Sequence, residues 1–266
     1  MLVFVTCAGG SASDAGTKDA TSESSIFAFH LKGQIVDSTT GAPIPYAAIG
    51  IGPFQEATDG TGNYDQVEAA SVTPVGPFGT YAAAPDSGTS YVLTLDQLVT
   101  LTGDADRGKT PINGLIYEQS IRNALTIQPS GGAAILRVTV IGIGACTDVT
   151  GATISVPNVV GPDAGPNTGN PVLVYFSGNP AMPDESRTTV MAGITPSAIL
   201  YNLSVSNYLS VYDQQITVQH PTCKQVPFPV SDPVAPNLQY QGSVLIQGAA
   251  YSNKPLAAST IRLFLQ

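Results

Sequence analysis

Tryptophan is absent from this 266-residue chain, and charged side chains make up only 11% of it. The missing indole removes the usual flat platform for stacking a sugar ring. Only ten Lys and Arg stand against nineteen Asp and Glu, for a net charge of −9. The basic residues are scattered, so no cluster exists to neutralise phosphates, which excludes nucleic acid as a partner. The same acidity disfavours adhesion to anionic lipid heads. No segment is long and apolar enough to cross a bilayer as a helix. There are two histidines, His30 and His220, and three cysteines, Cys7, Cys146 and Cys223. A chain so poor in titratable groups offers few candidates for acid–base chemistry.

What is present favours short strands. Apolar residues reach 43%, enough for real cores, while 27 glycines and 21 prolines divide the chain into segments too short for long helices. Phe27, Phe29 and Leu31 alternate with Ala28, His30 and Lys32, the period of a half-buried strand that Gln34, Ile35 and Val36 extend. Asp37-Ser-Thr-Thr-Gly41 supplies turn chemistry, and Tyr46 to Ile51 reads as a second strand. Ala57 to Tyr64 forms another turn that feeds a third strand around Tyr64 to Val67.

Four submotifs, Gly33-Gln-Ile-Val-Asp37, Thr40-Gly-Ala-Pro-Ile44, Ala47-Ala-Ile-Gly-Ile51 and Thr58-Asp-Gly-Thr-Gly-Asn-Tyr64, occur in order and at close spacing. In this the chain resembles the carboxypeptidase regulatory-like domain, a transthyretin-like β-sandwich. The resemblance implies an accessory module and no catalytic residue, and no His-x-x-Glu metal motif occurs in the sequence.

Past Tyr64 the pattern loosens. Tyr91 to Leu101 fits either an alternating strand or a helical face, and Ser120 to Leu125 fits a short helical turn, so residues 84–131 read as a connector with minor helix. A second module begins at the β-branched run Ile135 to Gly144. Within it, Gly151 to Val156 corresponds to Tyr46 to Ile51, Val172 to Phe176 is a strand, and Thr188 to Gly193 takes the place of the Thr-Asp turn. Ile199 to Val211 resembles the family's closing element, and Pro157 to Pro171 reads as a surface loop. Ile216 to Gln219, Leu238 to Ile246 and Ser259 to Leu265 supply three further strands. The expectation is an all-β chain of two Ig- or transthyretin-like β-sandwich modules in tandem. The boundaries read 1–25 tether, 26–83 (or on to 131) first module, 84–131 connector, and 132–266 second module, completed by the C-terminal strand.

Met1 to Cys7, an apolar run ending at a cysteine before a Ser- and Gly-rich stretch, resembles the tail of a bacterial lipoprotein signal. The resemblance implies a lipidated Cys7, export, and attachment to the outer membrane or release outside the cell. The run is shorter than a complete signal and lacks a basic residue, so an incidental cysteine in a flexible N-terminus is the other reading. Under either reading Ala8 to Ser25 is a tether. In an exported chain Cys146 and Cys223 would pair, with two buried free thiols as the alternative.

Chemical motifs are few. His30 falls on the polar phase of its strand. His220-Pro-Thr-Cys223 is half a zinc site with no second ligand pair close by. Asp59 and Asp65 in one Gly-rich turn, and Asp104 with Asp106 in another, are oxygen donors suited to calcium or, in the family's pattern, to an ordinary structural turn. No other cofactor is implied. Asn202-Leu-Ser204 is a formal glycosylation sequon, read as coincidental in a bacterial lipoprotein. Tyr81, Tyr91, Tyr175, Tyr201, Tyr208 and Tyr212 offer either a sugar-binding face or core packing. No nucleophile elbow, phosphate loop or dinucleotide fingerprint occurs. The chain therefore reads as a non-enzymatic spacer or interaction module with an unidentified protein or glycan partner. A carbohydrate-binding module is the alternative, and an unrecognised hydrolase the remote one.

Overall fold

The computed structural model describes residues 26–51, 54–85, 90–126, 134–157, 171–203, 209–213, 215–247 and 257–266. The first half contains β1 (Phe27–Asp37), β2 (Ala48–Ile51), β3 (Phe54–Ala57), β4 (Asn63–Ala70), β5 (Val75–Phe78), β6 (Thr80–Ala83), β7 (Leu93–Leu101) and β8 (Ala105–Ile112). A short helix, α1 (Leu115–Asn123), precedes β9 (Ala134–Gly142), β10 (Thr153–Ser155), β11 (Val172–Ser177), β12 (Met182–Asp184) and β13 (Ala198–Leu203). The chain then forms β14 (Leu209–Tyr212), β15 (Thr217–Gln219), β16 (Val230–Ser231), β17 (Leu238–Gln247) and β18 (Ala257–Leu265). The fold is all-β, as expected.

The alternation in the first strand is real. β1 buries Leu31 and exposes Lys32, pairs antiparallel with β4, and pairs in parallel with β8 to make a three-stranded sheet. The Thr58 to Tyr64 turn closes on itself. Asp59 Oδ1 accepts from the Thr61 and Asn63 amides, while the Thr58 hydroxyl donates to the Ile44 carbonyl. Tyr64 returns to the core at 4% exposure. Gly33 is required here, because a Cβ on it would lie 2.5 Å from the Tyr64 hydroxyl.

The second sheet runs β12-β11-β13-β9-β18-β7-β6-β2-β3, with β5 and β17 also paired to β7, and β14 and β16 to β17. Its centre is β18, parallel to β9 on one side and to β7 on the other. One core gathers Leu31 and Ile35 of β1, Ile49 and Ile51 of β2, Leu101 of β7, Leu238 and Tyr240 of β17, and Phe264 of β18. A second gathers Leu136 and Val138 of β9, Leu200 of β13, Val244 and Ile246 of β17, and Ile261, Leu263 and Leu265 of β18. A third packs Ile121 of α1 and Leu125 against Ile135, Val174, Phe176, Ile199 and Tyr201.

Three expectations are corrected. The two halves are not separate modules in tandem, because β18 and β17 each give side chains to both of the larger cores. The residues read as a connector hold β7 and β8 as well as the helix, which lies at Leu115–Asn123 instead of Ser120 to Leu125. β7 is a strand because Thr94 to Gln97 are all buried, a run that needs cover on both faces and suits a strand flanked by neighbours. The internal repeat does not carry over into topology. β2 lies between β3 and β6 in the large sheet, whereas β10, its proposed counterpart, pairs among the described residues with β15 alone. Similar local alternation fixes a buried face but not a pairing partner.

Candidate functional site

Where β7, β18 and β9 lie side by side, the register sets Asp96, Thr260 and Arg137 in one row across three parallel strands. Charged residues in the middle of a sheet require partners, since burial without compensation costs several kcal/mol per ion. Asp96 has two. Arg262 Nη1 lies 2.5 Å from Asp96 Oδ1, and Arg107, arriving from β8, donates to Oδ2. Burial pushes the Asp96 carboxyl up, but the two guanidiniums outweigh it and hold it below the usual carboxylate range. Arg262 also stands 5.0 Å over the Tyr240 ring, and the Tyr240 hydroxyl donates to Asp232 Oδ2 at 2.8 Å. Gln97 locks β7 to β18 by accepting from the Arg262 amide at 2.8 Å.

Arg137 is served differently. It contacts Glu118 of α1, which also accepts from Asn113 Nδ2 at 2.8 Å. Burial draws the Arg137 pKa down to about 10. Among the described residues its Nε has no hydrogen-bond partner, and neither has the buried Thr94 Oγ1. Arg137 and Thr94 share the lining of a cleft of about 570 Å³ with Ser38, Thr39, Asn113, Asn179 to Ala181, Thr195 and Pro196. Tyr117 also lines it and donates to the Ala181 carbonyl at 2.7 Å.

None of these residues was singled out from the sequence. The signal that could have found them is the placement of scarce charges, because Arg137 and Arg262 interrupt the apolar runs Ile135 to Ile141 and Ile261 to Leu265. An arginine inside such a run is buried, and a buried arginine needs an acid.

The residues singled out for calcium fall elsewhere. Asp59, Asp65 and Asp106 line a surface groove of about 630 Å³ beside Lys32 and Lys109. Each carboxylate already faces donors. Asp59 serves its own turn, Asp65 pairs with His30 and Lys32, and Asp106 Oδ1 accepts from the Gly108 amide. These hydrogen bonds lower the pKa of Asp59 and Asp65, with the Asn63 amide the main donor for the first and His30 for the second. Asp104 lies apart from the groove, its Oδ1 accepting from the His30 amide at 2.9 Å. His30 is thus a hydrogen-bond partner of Asp65 on a polar strand face.

Cys146 and Cys223 form a disulfide, with the sulfurs 2.04 Å apart. His220 lies close enough for its ring nitrogen and both sulfurs to fall within 4.8 Å of one another, so the half-site read from His220 and Cys223 gathers a third donor. In the oxidised pair the sulfurs are bonded to each other, and His220 instead accepts from the Cys223 amide and contacts the Thr150 carbonyl. Of the tyrosines offered as a sugar-binding face, Tyr175, Tyr201 and Tyr212 are buried and Tyr81 and Tyr91 half-buried, so they do not form one exposed platform. Cys7, the tether, Ser204 of the sequon and Tyr208 lie outside the described residues.

No family model matches the chain, including that of the carboxypeptidase regulatory-like domain, and no curated protein matches it. Among solved structures it is similar to a minor pilin of Streptococcus agalactiae, at 10% identity and a TM-score of 0.22, over 89% of this chain and 95% of that one. It is similar also to the shaft pilin SpaA of Lactobacillus rhamnosus GG, at 10% identity and a TM-score of 0.20, over 91% and 98%. At these scores neither likeness bears on what this chain does.

Proposed function

We propose that this chain is a non-enzymatic structural module of a cell surface or extracellular assembly, a rigid spacer that presents or separates what it is joined to. The observation that carries this reading is the position of β18, held between β7 and β9 and built into two cores. A strand flanked on both edges cannot peel away alone, so the two halves resist separation as one body. The Cys146–Cys223 bridge supports the placement, because such bonds form and persist in oxidising compartments. Cys7 is the proposed lipid anchor, on its resemblance to a lipoprotein signal.

The test is made in the native host. Protease added to intact cells should remove the protein from the surface fraction. Thiol trapping at lysis should find Cys146 and Cys223 oxidised. Fatty-acid labelling should be lost in Cys7→Ser. A protein inside the cell with both thiols free would overturn the reading, whereas absence of fatty-acid labelling in the native chain leaves the spacer role without its anchor.

A further inference from the structure

Cys146, Cys223 and His220 form a compact donor set, of which a spacer needs only the bridge. Both sulfurs and a ring nitrogen of His220 lie within 4.8 Å of one another. The imidazole is held in one tautomer. Nε2 stands 3.0 Å from the Thr150 carbonyl, which can only accept, so Nε2 carries the proton. Nδ1 is then the lone-pair nitrogen, and it faces Cys223, accepting from that residue's amide at 3.2 Å. A metal-bound histidine has this arrangement, one nitrogen ligating while the other donates to a backbone carbonyl.

The backbone holds these donors together without the S–S bond. Cys146 sits in a turn closed by its amide on the Ile143 carbonyl, and the Ile143 amide donates to the Leu265 carbonyl. Gly142 permits that turn, since a Cβ on it would lie 2.0 Å from the Cys146 carbonyl oxygen. On the other side, Lys224 exchanges two backbone hydrogen bonds with Gln266. Both cysteines are thus anchored at the C-terminal end of β18, with Cα atoms 5.9 Å apart, and reduction leaves them facing each other.

We propose that the dithiol form of this chain binds one Zn²⁺ through Cys146 Sγ, Cys223 Sγ and His220 Nδ1, with water in the fourth position. Two thiolates and a neutral imidazole cancel the charge of a divalent ion. Monovalent copper would leave a negative complex on a chain whose net charge is already −9. Cys146 is buried, while Cys223 and His220 are half-buried and give solvent access to the fourth position. The ion and the disulfide are alternative clasps on the same loop. A dithiol reductant gives two electrons and two protons to the S–S bond and closes its own disulfide. Zn²⁺ then displaces both thiol protons and keeps its oxidation state. A disulfide oxidant takes the two electrons back, re-forms the Cys146–Cys223 bond and releases the ion.

The test uses the whole chain carrying Cys7→Ser, which leaves Cys146 and Cys223 as its cysteines. A water-soluble phosphine reduces it, the oxygen of one water going to the phosphine and its two protons to the thiols. Titration with Zn²⁺ against a chromophoric chelator should give one ion per reduced chain, at about 1 µM or tighter, and none per disulfide-bonded chain. Co²⁺ in its place should show thiolate-to-metal charge-transfer absorption. Cys146→Ser with Cys223→Ser should abolish both signals. His220→Asn keeps an acceptor for the turn amides, so it should fold and form the disulfide, but bind Zn²⁺ at least tenfold more weakly. Where reduction loosens the fold, Zn²⁺ should raise the denaturation midpoint again. Equal binding to the double-serine variant or to the disulfide form would overturn the proposal. So would an affinity untouched by His220→Asn, or no binding to the reduced chain.

Discussion

Leu263 and Phe264 are consecutive in the chain, both fully buried, and belong to different cores. Leu263 packs with Leu136, Val138 and Ile246, while Phe264 stacks on Tyr240 with ring centroids 5.7 Å apart. One strand therefore couples two hydrophobic units that the sequence reads as separate modules.

Coupling through β18 predicts that unfolding is a single transition. Leu263→Ala should cost about 2–5 kcal/mol and Phe264→Ala about 3–5 kcal/mol. Each should lower the stability of both halves equally. Denaturant titration followed by hydrogen exchange at Leu31 and at Leu200, one in each core, checks it. Two separated transitions would show that the halves fold independently.

Asp96 should be among the least replaceable residues. Asp96→Asn keeps the shape and leaves Arg107 and Arg262 facing no carboxylate, for an expected loss of about 3–5 kcal/mol. Its pKa is lowered on folding, so the stability it contributes is present above the unfolded value of 3.8 and lost as pH falls through the folded one. Chemical denaturation from pH 7 down to pH 3 should therefore show a fall in the native chain that the variant lacks.

Glu68 should act in the opposite direction. It is buried on β4 opposite Phe29, its Oε1 has no partner among the described residues, and burial raises its pKa to about 7. A carboxyl whose folded pKa lies above its unfolded value of 4.5 binds more protons folded than unfolded, so stability falls as pH rises between the two. Glu68→Gln removes that dependence. It should match the native protein near pH 4.5 and exceed it by on the order of 2 kcal/mol at pH 8, as measured by denaturation midpoints.

The disulfide closes a loop with a sequence separation of 77, for which chain entropy gives roughly 4–5 kcal/mol. Cys146→Ser with Cys223→Ser should lower the stability by about that amount, and in the native chain alkylation under denaturing, non-reducing conditions should leave Cys146 and Cys223 unmodified by intact mass. Two alkylated thiols at these positions would remove the bridge from the account.

Much of the local structure was legible in the chain. Phe29, Leu31 and Lys32 show their alternation because a strand has a period of two. Asp59 and Gly62 announce their turn because few residues bond neighbouring amides or take a φ of +77°. The cysteine pairing was legible from composition and compartment. The central site was not, since Asp96 and Arg262 are 166 residues apart and neither sits in a motif.

The sequence alone determined that this is an all-β protein of short strands, with sharp turns, little charge and no basic surface, because alternation, glycine and composition act locally. Only the tertiary structure decided that β7, β18 and β9 would lie together, fuse the two cores and bury Asp96 among arginines. A strand's pattern states which face turns inward, but each strand has two edges. Which neighbours take those edges is settled by hydrogen-bond ladders and packing between segments far apart in the chain.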